Sequence, residues 1–524
     1  MTEEAKMLAQ KDAEPAAVTI YTGIPYSVIA DDLSAAQKEA HYTEMTQIGK
    51  LYAAYKRGQE FLTEGANGDY IPSDLRFKKA ASLVNKEARF LFANPPTFNV
   101  NVDDVSEEIK RQNAIMQDFL DAVLRKNNFN GKLLKAAKDC FIGKRVALVL
   151  NFNDRNGITI TFLNSMEFLY ETSGTDSNEL KKLVMISNLT ETSYKEQQRW
   201  FKKIYTLENG VVYVKEDIYD GLGKIVEPVL RKTKTLFTYI PAVVILNDGL
   251  TGELKGESDL ASLLEYEGTY SKLANADIDA GRKGMNPTRY TIDASPESTA
   301  NLSIAPGAYW DLQSDENKSV EQQAKVGIME PTMAYSGALK TTLDRVENTM
   351  YSEFDVPNVN NEHLQGVITS GKTLKALYWG LTVRCDEKML AWEPALNFLA
   401  TTIIEGGRLY PKSISKYTTV PTLPAIACEI LVENNYPLPE DEVEEKNMDL
   451  AEIDAKTMSR KAYLKKWRKL NDAEAEAELL QIKKEQDLFE NSMLPESEDA
   501  FEEELTIEEQ IEEEDVDTNP LHAV

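Results

Sequence analysis

Between Leu250 and Ile404 the hydrophobic pattern calls for two long helices around a short strand-rich insert, then a polar loop and a third, longer helix. The first helix is expected from Glu257 to Arg282, where Leu260, Leu263, Leu264, Tyr270, Leu273, Ala274 and Ile278 recur at three-to-four spacing. Its other face carries Asp259, Glu265, Glu267, Asp277 and Asp279. The second is expected to begin at Pro331, a favoured first helical position, with Leu339, Leu343, Val346, Met350 and Phe354 as its stripe and Pro357 as its end. At ~1.5 Å per residue each would be ~35–40 Å long. Between them Pro287, Pro296 and Pro306 break up Gly284 to Gly327, leaving extended runs at Arg289 to Ile292 and Ala308 to Leu312. The third helix is expected from Gly371 to about Ile404, kinked at Pro394. Such parts make an elongated element with a small β-unit at its tip, and no compact active site.

The remaining chain reads as an α+β protein with more helix than strand. Helical patterns fill roughly Asp31 to Leu62, Ser73 to Phe92, Ser106 to Lys126 and Gly131 to Phe141, after an arm from Met1 to Ala30 expected to lack order. Strands are expected at Val146 to Phe152, Ile158 to Phe162, Leu183 to Asn188, Val211 to Val214 and Phe237 to Leu246, with Asn156-Gly157 and Asn209-Gly210 as hairpin turns. Ala425 to Val432 returns to strand, Pro437 and Pro439 mark a boundary, and Asp441 to Phe489 is mostly charged helix.

At 524 residues with 42% hydrophobic content the chain can hold two to four domains with a real core. No apolar run approaches the ~18 residues of a membrane span, and Glu3 and Glu4 without an apolar segment do not make a signal peptide, so a cytoplasmic setting without membrane contact is expected. Cys140, Cys385 and Cys428 lie far apart and are read as reduced core residues. With His41, His363 and His522 equally scattered, no metal site is expected. Of the net charge of −28, sixteen acids fall between Glu485 and Asp517 with no Lys or Arg, leaving −12 elsewhere. This tail, 491–524, reads as solvated and unstructured. The acidic balance argues against tight nucleic-acid grip but is compatible with DNA passing by.

Gly366 to Thr373 matches GxxxxGK[ST], the phosphate-cradling loop of a P-loop ATPase or motor subunit. A working loop of that kind follows a buried strand, so that backbone amides and a helix N-terminus converge on phosphate. Here Val356 to His363 is polar, broken by proline and preceded by a helix, which favours a flexible loop entering a helix. Ser459 to Leu470 carries Arg460, Lys461, Lys465, Lys466, Arg468 and Lys469 around Tyr463 and Trp467, a pattern open to DNA contact or to ion pairs with neighbouring acidic helices. No nucleophile elbow is present, so neither catalytic residue nor cofactor is assigned. An acidic scaffold or chaperone acting through the tail is a further alternative.

The order of several short motifs resembles the phage portal proteins of the SPP1 type. Leu51-Tyr52-Ala53-Ala54-Tyr55-Lys56-Arg57-Gly58 and Asn85 to Pro96 resemble that family's entry helices and aromatic-Ala-x-Pro turn. Gly256 to Leu260 is similar to the opening of its first stem helix, Thr369 to Lys375 to the start of its long helix after the tunnel loop, and Met458 to Leu464 with Asp472 to Glu476 to its crown. Order and spacing from about residue 40 to 490 carry the likeness.

The resemblance implies a portal fold assembled as a ring, usually of twelve copies, at one capsid vertex of the virion after assembly in the host cytoplasm. Residues 31–250 would form the wing, 251–284 and 329–356 the two stem helices, 285–328 the clip, and 357–370 the tunnel loop. Residues 371–433 would add the long wing helix and returning strand, and 434–490 the crown. The implied partners are further copies of the chain, the terminase large subunit, the head-tail adaptor, the major capsid and scaffolding proteins, and double-stranded DNA in the channel. Asn358, Asn360, Asn361, His363, Gly366 and Lys372 would then stand near the DNA, and Arg289, Tyr290, Tyr309, Trp310 and Asp311 at the clip surface. Acidic faces on the stem helices would line the channel and repel phosphate.

Overall fold

The computed structural model describes residues 26–29, 32–61, 71–101, 106–173, 179–190, 192, 194–250, 253, 255–285, 288–292, 294–295, 312–314, 324–329, 333–358, 371–438, 442–468, 470 and 472–492. The chain divides into two units, Met1–Thr369 with Thr373–Leu438, and Ser370–Lys372 with Pro439–Val524.

In the first unit, helix α1 (Ala35–Arg57) opens on a capping box in which Ser34 and Gln37 each take the other's backbone N–H. Helix α2 (Lys79–Phe92), strand β1 (Thr97–Asn101), α3 (Glu107–Lys126) and α4 (Phe129–Gly143) follow. Strand β2 (Arg145–Asn153) begins with six consecutive buried residues and lies between β3 (Gly157–Asn164) and β9 (Ala242–Leu246). Its alternation divides two cores. Val146, Leu148 and Leu150 face the helices, packing with Phe119, Phe141, Trp392 and Leu396, whereas Ala147 and Val149 face a second sheet.

That second sheet is an antiparallel meander of β4 (Phe168–Thr172), β5 (Leu180–Asn188), β6 (Trp200–Glu208), β7 (Val211–Tyr219) and β8 (Ile225–Lys234). Strands β4, β6 and β8 were not expected. In β6 the buried face carries Lys202, whose ammonium donates to the Val28 carbonyl (2.8 Å) and pairs with Asp32, so the strand lacks a clean apolar alternation. In β8 Pro228 and a run of cations give an exposed edge strand the look of a loop. Asn209 and Gly210, both at positive φ, close the expected two-residue turn. The Asn156-Gly157 turn is instead a three-residue loop, with Gly157 opposite Asn153. Of Phe237 to Leu246 only Ala242–Leu246 is strand; Phe237 and Tyr239 leave the ladder to pack against Tyr410 and Phe398.

The expected unordered arm is also corrected at its end. Tyr26–Ile29 forms one helical turn, and Val28 and Ile29 are buried on the outer face of β5 and β6 against Val184, Ile186 and Trp200.

Two long helices follow, α5 (Asp259–Met285) and α6 (Ser336–Glu353), packed against each other. Pro331 lies outside the described residues, and a 3₁₀ turn, Met333–Tyr335, leads into α6. Between the helices, β10 (Thr288–Ile292) pairs antiparallel with β11 (Lys325–Met329). Only Leu312 of the run Ala308 to Leu312 is described, so its expected strand lies outside the description. The third long helix is divided at Tyr378 into α7 (Gly371–Leu377) and α8 (Trp379–Leu409), and α8 is assigned without a break through Pro394. Strand β12 (Glu429–Glu433) then pairs with β1. Cys140 and Cys385 are buried and free, while Cys428 is only half-buried.

The second unit contains α9 (Glu442–Asp454), α10 (Arg460–Arg468) and α11 (Asp472–Ser492). Asp449 is buried, accepting from the Trp467 indole (2.7 Å) and pairing with Lys466 (2.9 Å). Lys461 pairs with Glu476 and Arg468 with Glu478. Among the described residues of the basic run, Lys461, Lys466 and Arg468 are therefore committed to ion pairs within their own unit.

Candidate functional site: a helix pair and its anchor

Helix α5 is held along one side by a polar ladder. Glu267 accepts the backbone N–H of Gln59 (2.8 Å) and of Ala80 (2.7 Å) on separate oxygens. Ser271 accepts from Phe77, Asn275 bonds both the N–H and the carbonyl of Leu75, and Asp279 accepts from the N–H and hydroxyl of Ser73. Three side chains spaced by four residues, Ser271, Asn275 and Asp279, thus serve the backbone of one extended segment, and Glu267, four residues before them, holds Gln59 and the first turn of α2. This explains why Ser73 to Lys78 is not helical, although a helix was expected from Ser73: its backbone donors are taken by α5. Burial raises the Glu267 pKa, and the two N–H bonds oppose that rise.

At the start of α5 a charged cluster joins four elements. Asp259, the first residue of the helix, accepts from Asn247 (2.8 Å), from Lys388 on both oxygens (2.9 and 3.1 Å) and from Arg384 Nη2 (2.9 Å). Lys388 also reaches Asn247 and Asp248. Arg384 donates from Nε to Glu87 Oε1 of α2 (2.7 Å) and from Nη1 to the Glu353 carbonyl at the end of α6 (3.3 Å), while its guanidinium lies 4.4 Å from the centre of the Phe354 ring. One side chain of α8 therefore touches α2, α5 and the end of α6. Gly256, at φ +68°, carries the chain into this cluster; a Cβ there would stand 2.5 Å from the Lys144 carbonyl oxygen.

Glu87 is 0% exposed, and its Oε2 has no hydrogen-bond partner among the described residues. Burial, and next the nearby Asp259 charge, push its pKa up to about 7 against the pull of Arg384 and Lys388. Lys388 keeps its proton because Asp259 and Glu87 outweigh the effect of burial.

Farther along, Lys79 bridges the pair, its ammonium 2.7 Å from Glu347 of α6 and 4.4 Å from the centre of the Tyr270 ring of α5. Near the far end Tyr335, just before α6, bonds Asp277 of α5, and beyond it the described residues of the ribbon are open to solvent. Tyr290, Ile292, Val326 and Ile328 of the β10–β11 ribbon are 43–54% exposed, and Met285 is 83% exposed. Tyr290 stands opposite Gly327, where any Cβ would collide with its ring.

Among the anticipated site residues, Tyr290 is on this ribbon and Arg289 is in the same strand. Asn358 donates to Asn348 of α6 (2.8 Å). Lys372 is in the first turn of α7, its side chain outside the description. Asn360, Asn361, His363, Gly366, Tyr309, Trp310 and Asp311 lie outside the described residues. The acidic face expected on α5 is corrected: Asp259 and Glu267 are buried and Asp279 is bonded to Ser73, leaving Glu265 and Asp277 exposed beside Lys272, Arg282 and Lys283. The anchoring cluster was missed. Its only local signals are the four-residue spacing of Glu267, Ser271, Asn275 and Asp279 and that of Arg384 and Lys388.

The family model described as phage portal protein, SPP1 Gp6-like, matches residues 35–488, from the first residue of α1 into α11. The chain belongs to this phage portal family. The likeness read from ordered motifs thus holds over most of the chain. No curated protein matches it. Portal membership supports a structural rather than enzymatic role at the capsid vertex, as a connector in genome packaging, and implies a homo-oligomeric ring associated with capsid and terminase. Among the described residues no helix is long and apolar enough to cross a membrane.

Proposed function

We propose that copies of this chain form a ring, twelve in the virion, around a channel for double-stranded DNA. In this reading α5 and α6 are the stem helices, 285–328 the clip and 357–370 the tunnel loop. Residues 31–250 and 371–433 form the wing, and 434–490 the crown. The observation that carries the reading is the contrast along α5 and α6, fastened to the fold at one end and bearing at the other a ribbon with exposed apolar residues on both faces. A lone two-stranded ribbon is marginal in water, and such a surface gains stability when covered.

As the clip, this ribbon meets the terminase large subunit during packaging and the head-tail adaptor afterwards, through Arg289, Tyr290, Tyr309, Trp310 and Asp311. Tunnel-loop residues Asn358, Asn360, Asn361, His363 and Gly366, with Lys372, stand nearest the DNA. Exposed charges on the two helices are mixed, with Glu265, Asp277 and Asp344 beside Lys272, Lys283, Lys340 and Arg345. A charge-mixed wall creates little net field and does not grip phosphates, as moving DNA requires.

Negative-stain electron microscopy and mass photometry of the purified chain test this. Rings with a central hole are expected, also after deletion of 491–524. A uniform monomer across salt and magnesium conditions overturns the reading. Magnesium-dependent ATP binding abolished by Lys372→Ala would support the motor alternative instead.

A further inference from the structure

We propose that Glu87, acting through Arg384, is a positioning residue whose proton determines how firmly the long helix α8 holds the two stem helices. The inference rests on reading α5 and α6 as the stem.

Three observations carry it. Arg384 is the shared fastener, with Nε on Glu87, Nη2 on Asp259 at the start of α5, and Nη1 on the last carbonyl of α6. Among the described residues the cluster has more acid than base: Glu87, Asp259 and Asp248 meet Arg384 and Lys388. Finally, Glu87 is wholly buried with Oε2 unpartnered, so it is the carboxylate for which ionisation is least compensated. Asp248 is open to solvent and Asp259 has four hydrogen bonds from Asn247, Lys388 and Arg384.

Among the described residues the groups facing Glu87 are Asp259 of α5 and Arg384, Lys388 and the Cys385 thiol of α8, while Asp248, before α5, acts on Arg384 and Lys388. From α6 the carboxylate of Glu353 is turned instead to the Tyr266 hydroxyl (3.4 Å). With Glu87 protonated, Arg384 and Lys388 are balanced by Asp259 and Asp248. With Glu87 ionised, its charge and that of Asp259, held on separate nitrogens of Arg384, repel each other, and the repulsion loosens α2 from the start of α5. The change is a single proton exchanged with water.

Amide hydrogen exchange on the assembled full chain, corrected for intrinsic pH dependence, tests this between pH 5.5 and 8.5. Protection in the first turns of α5 and the last turns of α6 is expected to fall about tenfold as pH rises through about 7. Glu87→Gln keeps an acceptor for Arg384 and carries no charge, so it should abolish the step and retain protection at both extremes. Asp259→Asn removes the repelling charge and should move the step to lower pH. Glu87→Ala, which leaves Arg384 short of a partner, should lower protection at all pH values. A step that survives Glu87→Gln, or no step in the unmodified protein, overturns the proposal; should Glu87→Gln fail to fold, an unmoved step in Asp259→Asn does so. Mass photometry on the same samples reports separately on the ring, so a pH step in a chain that never forms rings refutes the stem reading and leaves the joint standing.

Discussion

The two ends of α5 solve opposite problems. Near Asp259 the helix is surrounded by its own chain, with carboxylates, amides and cations saturating one another in a place where water cannot. Beyond Asp279 it emerges with Met285 into a ribbon whose apolar side chains have little of their own chain to cover them. The first arrangement fixes direction, because buried polar groups tolerate few alternative partners. The second leaves surface free energy to be recovered by contact with something else. A helix pair so divided can be held at one end and engaged at the other.

The sharpest way to break this contrast is Asp259→Ala, which strands Arg384 and Lys388 without their shared carboxylate. Removing one member of a buried charged group costs about 3–5 kcal/mol, so chemical denaturation should show a loss of that size. Next is Glu267→Ala, which leaves the N–H groups of Gln59 and Ala80 unpaired. Equilibrium unfolding should register a loss of about 2–4 kcal/mol, with faster amide exchange at Gln59 and Ala80.

A third effect is pH dependence. Glu87 and Glu267 both have raised pKa values, so the native state binds their protons more tightly than the unfolded chain does. Their contribution is complete below the ordinary Glu value and is lost as pH rises through the native value, for Glu87 between about 4.5 and about 7. Unfolding midpoints compared across that window should reveal a decline of about 1–3 kcal/mol, flattened in Glu87→Gln. Glu44 has the opposite sign: burial works against its charge, but Arg145 and Lys255 outweigh burial and lower its pKa, so its contribution disappears toward acid pH. The smallest effect is expected at the ribbon, where Ile328→Ser should change the stability of the isolated chain by no more than about 0.5 kcal/mol. The same substitution should weaken capture of an adaptor or terminase at least tenfold; equal binding would show that the ribbon is no docking surface.

Much of this molecule was legible because the relevant signals are local. The stripes from Leu260 to Ile278 and from Leu339 to Phe354 locate α5 and α6 within a few residues, and Asn209-Gly210 specifies its own turn. The extended segment at Ser73 was misread because its partner lies about two hundred residues away on α5. Strand β6 was hidden by Lys202, whose burial makes sense only once Asp32 and the Val28 carbonyl are beside it.

The sequence by itself determined the helix pair with its insert, the long third helix, and the ordered motifs that mark a portal protein, since periodicity and spacing are properties of neighbouring residues. Tertiary structure alone decided which acids remain outside. Asp259, Glu267 and Asp279 look like members of an exposed acidic face until Arg384, Lys388 and the Ser73 to Ala80 backbone are brought against them. A carboxylate's role depends on the donors that surround it, and here folding supplies them from far along the chain.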